Sequence, residues 1–243
     1  MIYFYDGTKD GFLTTLVTAY DDPEAQLTSV STQLTLGQQT VFVRSNHKRA
    51  KKAEARLLAF DPDCMSDLGI LLRSGESMRD TVAFNYFRYL CKQKRPVGRN
   101  FAEDCVVEAM ECIRRVTTEI HRMKGFIRFM ECESGALYAP FAPDHDISDL
   151  LVPHFKARLP EYPFVIHDVP RKKAAVYDGH STFVAPLEQA EVAISADEAG
   201  WQALWKRYYH SVNIPSRERL KQMRSYMPVR YWKYLPEKFS PLE

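Results

Sequence analysis

The sequence predicts an α+β fold: a helix-rich N-terminal half, a mostly antiparallel sheet of about five strands with a helix on one face, and a helical C-terminal segment. Three observations carry this. Apolar residues at 3.6-residue spacing crowd the first half of the chain. From Gly125, short β-rich runs punctuated by turn signals replace them. From Trp201 the chain becomes helically spaced again, but aromatic and basic. At 243 residues, 45% hydrophobic and 26% charged, the composition is that of an ordinary soluble globular protein able to bury a sizeable core. The expected parts are 1–123 (helix-rich, with a short strand pair), 124–190 (the sheet) and 198–243 (a basic aromatic helical tail), forming one compact unit.

The elements follow in order. Ile2–Tyr5 reads as a strand, and Asp6-Gly7 as a turn in which Asp6 or Thr8 caps a helix over 9–21. Thr40–Val43 is a second strand. A basic helix follows Ser45-Asn46 and runs to about Phe60, burying Ala50, Ala53, Leu57 and Phe60. Further helices are predicted near 64–73, 77–94 and 101–123. The last aligns Phe101, Cys105, Ala109, Cys112, Val116, Ile120 and Met123 on one side, with Lys124 in its final turn and Gly125 stopping it.

GFIRFMEC and ALYAPFAP, joined by Glu133-Ser134-Gly135, read as a hairpin. A short helix ends near Leu159, and EYPFVIHDV, KKAAVYDG and STFVAPL supply three more strands. The stretch Leu187–Glu198 carries four acids and no base and is read as a connector. Helices are predicted over 198–211 and 215–226, followed by a tail broken at Pro228, Pro236 and Pro241.

Five cysteines without a CxxC pair predict reduced thiols and a cytoplasmic protein. The opening MIYFYDG does not read as a signal peptide, and nothing approaches eighteen consecutive apolar residues, so no membrane association is expected. The seven histidines form no cluster at metal spacing, and neither a glycine-rich phosphate loop nor a GxSxG elbow is present, so no metal or cofactor is expected.

Charge is where the sequence speaks of function. The chain carries a net +2, yet Trp201–Glu243 holds nine Lys/Arg against three Glu, together with all three tryptophans. Cations hold phosphates and flat rings stack on bases, so this segment points towards nucleic acid. Three basic groups are candidate contacts. In RSNHKRAKKAEAR, residues 44–56, Lys48, Lys52 and Arg56 align at four-residue spacing on a helix, where a solvated face is the competing reading. In HRMKGFIRF, Arg122, Lys124 and Arg128 surround a helix-to-strand junction, with Arg128 sharing a strand face with Phe126 and Met130. In the tail, Arg207, Arg217, Lys221 and Arg230 are the cations, and Tyr231 or Trp232 the base platform. Trp201, Leu204, Trp205 and Tyr208 follow helical spacing and are expected to pack inward. His121, His154, His167 and Asp168 are the residues for acid–base work, although the neighbours His167 and Asp168 point to opposite faces of a strand.

The stretches YDGTKDGFLTTLVTAY, EIHRMKGFIRF, ALYAPFAPDHDISDLLVPHFKARL, IHDVPRKKAAVYDG and WKRYYHSVNIPSRERLKQMRSYMPVRYWKYLPE cover most of the chain in order. With them the chain resembles a family of bacterial proteins grouped as a domain of unknown function and described as probable DNA metabolism proteins. Members occur beside radical-SAM proteins similar to spore photoproduct lyase, or fused to domains similar to uracil-DNA glycosylases. The resemblance implies DNA repair or modification and assigns no catalytic residue. The chain has no CxxxCxxC and no glycosylase motif, so catalysis would belong to the partner. The resulting expectation is a DNA-binding accessory protein that engages single-stranded or damaged duplex DNA beside such a partner. An enzyme acting on DNA or a nucleotide, and a module that docks the radical-SAM or glycosylase partner, are the alternatives.

Overall fold

The computed structural model describes residues 1–30, 39–217 and 219–238. The fold is α+β, with two sheets and a helical C-terminal segment. The chain divides into two compact units, Met1–Thr118 and Glu119–Glu243.

The first unit holds β1 (Ile2–Phe4), α1 (Lys9–Thr18), β2 (Gln26–Thr28), β3 (Thr40–Phe42), α2 (His47–Phe60), α3 (Cys64–Leu71), α4 (Arg79–Gln93) and the start of α5 (Asp104–Phe126). Its sheet is parallel, ordered β2-β1-β3, with Tyr3 between Leu27 and Val41. The expected strand pair is therefore a trio. β2 escapes a sequence reading because Gln26-Leu27-Thr28 is too short to show alternation. Asp6 folds the β1–α1 turn by accepting from the Thr8 amide (3.0 Å), and Thr8 caps α1 by accepting from the Gly11 amide (3.0 Å). Phe12 from α1 meets Phe87 from α4 edge to face, 5.8 Å between centroids, and both are fully buried. Buried Asp80 ties α4 to the strand ends: it accepts from the Tyr5 hydroxyl (2.8 Å) and from the Ser29 amide and hydroxyl (2.7 Å each). Burial, and then the Asp80 charge, push the Tyr5 phenol far above its ordinary pKa.

Two expectations for the long helix are corrected. α5 does not stop at Gly125 but closes on Phe126, with the Ile127 amide still donating to the Met123 carbonyl at 3.1 Å. Phe101 precedes the helix and is exposed rather than lying on its apolar side, which Ala109, Cys112, Val116 and Met123 do form.

The second unit holds β4 (Met130–Glu131), β5 (Leu137–Phe141), α6 (Ser148–Arg158), β6 (Phe164–Asp168), β7 (Lys173–Tyr177), β8 (Thr182–Pro186), α7 (Glu198–Val212) and α8 (Leu220–Tyr226). The strands run β4-β5-β6-β7-β8. Only β5 and β6 are parallel, because α6 carries the chain back between them; the other three pairs are antiparallel. α6 covers one face, and Phe129, Phe155 and Phe164 form its ring cluster, with centroids 5.0–6.5 Å apart. The acidic connector returns along the edge strand: the Glu133 amide donates to the Ala193 carbonyl and the Ser195 amide to the Glu131 carbonyl, 2.9 Å each. That pairing covers an edge otherwise open to strand addition.

The predicted helix over 215–226 is two pieces, a 3-10 turn at Pro215–Arg217 and then α8. The proline-broken tail forms two more 3-10 turns, Val229–Tyr234 and Pro236–Lys238; Phe239 and Pro241 lie outside the described residues. All five cysteines are free thiols. Among the described residues, no helix is long and apolar enough to cross a membrane.

Candidate nucleic-acid interface

In the first unit, the α2 stripe forms as its pattern requires. Asn46 caps the helix by accepting from the Arg49 amide (3.0 Å), and Ala50, Ala53 and Leu57 are buried. The opposite face leaves Lys48, Lys52 and Arg56 exposed, beside Arg49 and Lys51. The one acid of the stretch, Glu54, is held by Lys9 at 2.8 Å, and His47 pairs with Asp10. None of these five cations makes an ion pair among the described residues. Exposed positive charge at this density has no carboxylate partner among the described residues.

In the second unit, the junction cations separate by role. Arg128 is not on a strand face; it lies between α5 and β4 and works as a fastener. Its guanidinium donates to the Gly125 carbonyl (2.7 Å) and to the buried Glu237 carboxylate (2.7 Å), and lies 5.2 Å from the Trp205 ring centroid. Trp205 Nε1 donates to the other Glu237 oxygen at 2.9 Å. Burial opposes ionisation of Glu237, but the hydrogen bonds from Arg128 and Trp205 outweigh it, and its carboxyl sits below the usual glutamate range. Arg122 reaches only the Ser225 carbonyl (3.4 Å), and neither it nor Lys124 forms an ion pair among the described residues.

The tail reverses two expectations. Tyr231 is 3% exposed and cannot serve as a base platform. Its hydroxyl donates to buried Glu119 (2.6 Å), which also accepts from the Asp144 and His145 amides (2.9 and 2.8 Å). Arg230 covers that ring at 4.5 Å and pairs with Asp144 at 2.5 Å, so it too is committed to holding the tail. Trp232 is half-buried, with Nε1 donating to the Met227 carbonyl (3.0 Å). Conversely, Trp201, Leu204 and Tyr208 do not pack inward, being 59, 56 and 55% exposed, whereas Trp205, 37% exposed, does reach Glu237 and Arg128. α7 buries its polar side instead. Glu198 accepts from the Glu131 amide (2.9 Å) and from Gln202 (2.9 Å), and Lys206 and Tyr209 continue that half-buried face. Helical spacing finds a stripe, but not which side of the helix its neighbours will cover.

Arg207, Arg217 and Lys221 are exposed without ion pairs among the described residues, as are Arg219 and Arg224. Arg217 sits in the 3-10 turn rather than on one helix face with Lys221 and Arg224. Between α7, α8 and the last 3-10 turn lies a cavity of about 460 Å³, lined among others by Tyr209, Arg217, Arg219, Tyr226 and Lys238.

The four acid–base residues are not brought together by their contacts. Both ring nitrogens of buried His167 are used, Nδ1 with the Tyr138 hydroxyl (2.6 Å) and Nε2 with the Leu187 carbonyl (3.0 Å). Asp168 is buried against Arg171 (3.1 Å); burial raises its carboxyl, which Arg171 only partly offsets. His154 packs on Phe155 with its Nε2 buried and unpartnered, and burial lowers its pKa. His121 is exposed on α5.

The chain is similar to the ribosomal protein L11 methyltransferases of Listeria monocytogenes serotype 1/2a (strain 10403S), of serovar 1/2a (strain EGD-e) and of serotype 4b (strain CLIP80459). Each is 26% identical over 118 residues, covering 45% of this chain and 36% of the relative. The chain thus spans about a third of the length of the curated relatives it matches. No solved structure matches it. The family described as a domain of unknown function, DUF4130, matches residues 77–237, well over half of the chain, and the chain belongs to that family.

Proposed function

We propose that this protein is a DNA-binding accessory protein of a DNA repair or modification system, working with a separate catalytic partner. The observation that carries the DNA contact is the set of cations without an ion pair among the described residues: exposed Lys48, Lys52 and Arg56 in one unit, and exposed Arg207, Arg217 and Lys221 with half-buried Arg122 and Lys124 in the other. Structural arginines are paired, as Arg128, Arg171 and Arg230 are. Cations with no internal work are suited to a polyanion. The repair setting rests on the family resemblance. The likeness to methyltransferases covers 36% of those proteins and lends no chemistry, since this chain has no glycine-rich loop.

The test is a titration of labelled single- and double-stranded DNA at two salt concentrations. Binding is expected at low salt and weakens steeply as salt rises. No binding at low salt, with or without lesions, overturns the reading.

One observation favours a second role beside the first. The outward stripe Trp201, Leu204, Tyr208 and Val212 on α7 is the kind of aromatic and apolar surface that anchors a protein partner. Docking of the radical-SAM or glycosylase partner on α7 predicts that Leu204→Glu abolishes co-purification. Retention of the complex would remove this role.

A further inference from the structure

We infer that the cavity between α7, α8 and the Pro236–Lys238 turn is a binding site for a single nucleotide, stacking the base on Tyr226 and taking the phosphate on arginines. The inference rests on the DNA-binding reading and deepens it, from a charged surface to a pocket for one unstacked residue.

Size, charge and shape converge on this ligand class. A volume of about 460 Å³ holds a nucleoside monophosphate and is small for a peptide or a duplex. Arg217 and Arg219 line it and make no ion pair among the described residues. The one carboxylate in its described wall, Glu237, is already taken by Arg128 and Trp205. The described wall is therefore cationic, with guanidinium groups of the kind that phosphate accepts.

Lys238 adds a third cation. Its ammonium donates to the Tyr209 hydroxyl at 2.5 Å, faces the Met223 sulfur at 3.3 Å and sits 4.6 Å from the Tyr209 ring centroid. It is fixed in place by groups that carry no charge, so its charge remains for a ligand. Tyr209 and Tyr226 both line the cavity, Tyr209 half-buried under Lys238 and Tyr226 65% exposed. An exposed tyrosine face beside unpaired arginines is a surface on which a base stacks. Inorganic phosphate alone would leave the Tyr226 ring without use, and an aromatic ligand without charge would leave the arginines so.

The same nucleoside monophosphate arrives either free or as one residue of a strand, and two arms distinguish these sources. In the first, calorimetry measures deoxyadenosine 5′-monophosphate, deoxyadenosine and inorganic phosphate against the full chain. The monophosphate should bind at least about tenfold tighter than either part, because phosphate pairing and stacking act together. Arg217→Ala/Arg219→Ala should weaken it by about tenfold or more, and Tyr226→Ala by about fivefold. All three side chains are exposed, so the variants are expected to keep the fold.

In the second arm, a 2-aminopurine within a short single strand reports stacking through its fluorescence. A change lost in Tyr226→Ala places a strand residue in the pocket; a change confined to the free monophosphate makes the free nucleotide the ligand. Phosphate binding as tightly as the monophosphate, or pocket variants binding as wild type does in both arms, overturns the inference. If long DNA still binds in that case, only the pocket fails. If long DNA does not bind either, the underlying reading fails with it.

Discussion

At the level of single residues, the second unit is held by a few buried carboxylates, each collecting donors from distant parts of the chain. Glu119 gathers two backbone amides and the Tyr231 hydroxyl; Glu237 gathers Arg128 and Trp205. Replacing Tyr231 by phenylalanine strips one donor from a buried carboxylate. It should cost about 1–3 kcal/mol in urea unfolding without altering DNA affinity, because the ring is not exposed. A loss of affinity at unchanged stability would return Tyr231 to the interface.

Glu237 carries a pH signature. Its folded pKa lies below the unfolded one, so its stabilisation is complete above the usual glutamate range and is lost as pH falls through the folded value. Glu237→Gln should therefore be less stable than wild type at neutral pH by about 1–2 kcal/mol, with the difference in melting temperature closing in acid. A difference that persists at low pH would mean that shape rather than charge holds the tail. These roles were hidden from the sequence for one reason. Arg128 and Glu237 lie 109 positions apart, and nothing in either neighbourhood marks them as partners. A basic residue next to an aromatic looks the same whether it waits for a phosphate or already has its carboxylate.

Among the elements, local patterns were legible and pairings less so. Helices α1 to α6 and strands β5 to β8 lie where periodicity, caps and turns put them, because those signals act over a few residues. β2 and the long reach of α5 were missed because they depend on tertiary partners: a neighbouring strand, and a final turn that tolerates Gly125. The β1–α1 turn has a tighter requirement. A Cβ on Gly11 would stand 2.1 Å from an Asp6 carboxylate oxygen and 2.9 Å from the Tyr5 ring. Gly11→Ala should cost about 1–3 kcal/mol by overpacking, read from the denaturant midpoint; an unchanged midpoint would show that the Asp6 turn yields freely. α7 predicts the opposite. Leu204 belongs to a regular apolar stripe, yet Leu204→Glu should change stability by less than about 0.5 kcal/mol, because the stripe faces outward. A large loss in thermal unfolding would mean that α7 packs as its pattern alone implies.

On the scale of the whole molecule, net charge is a poor guide and charge without partners a better one. The chain sums to only +2, with an acidic connector and a basic tail that nearly cancel. What distinguishes α2 and the α7–α8 stretch is that Lys48, Lys52, Arg56, Arg207, Arg217 and Lys221 make no ion pair among the described residues. Sequence could locate these groups, since charge runs are visible, and it named Lys48, Lys52, Arg56, Arg207, Arg217 and Lys221 among them. It could not separate them from Arg128 and Arg230, which only folding pairs off.

The most direct test is the salt dependence of DNA affinity, compared between wild type and a variant in which Lys48, Lys52 and Arg56 are alanine. These three are exposed and make no ion pair among the described residues, so the variant should be as stable as wild type. If each neutralises a phosphate, the slope of log affinity against log salt should become shallower by about 2 to 3, at roughly 0.9 per contact. Identical slopes for the two proteins would contradict the claim that these unpaired cations hold the nucleic acid backbone.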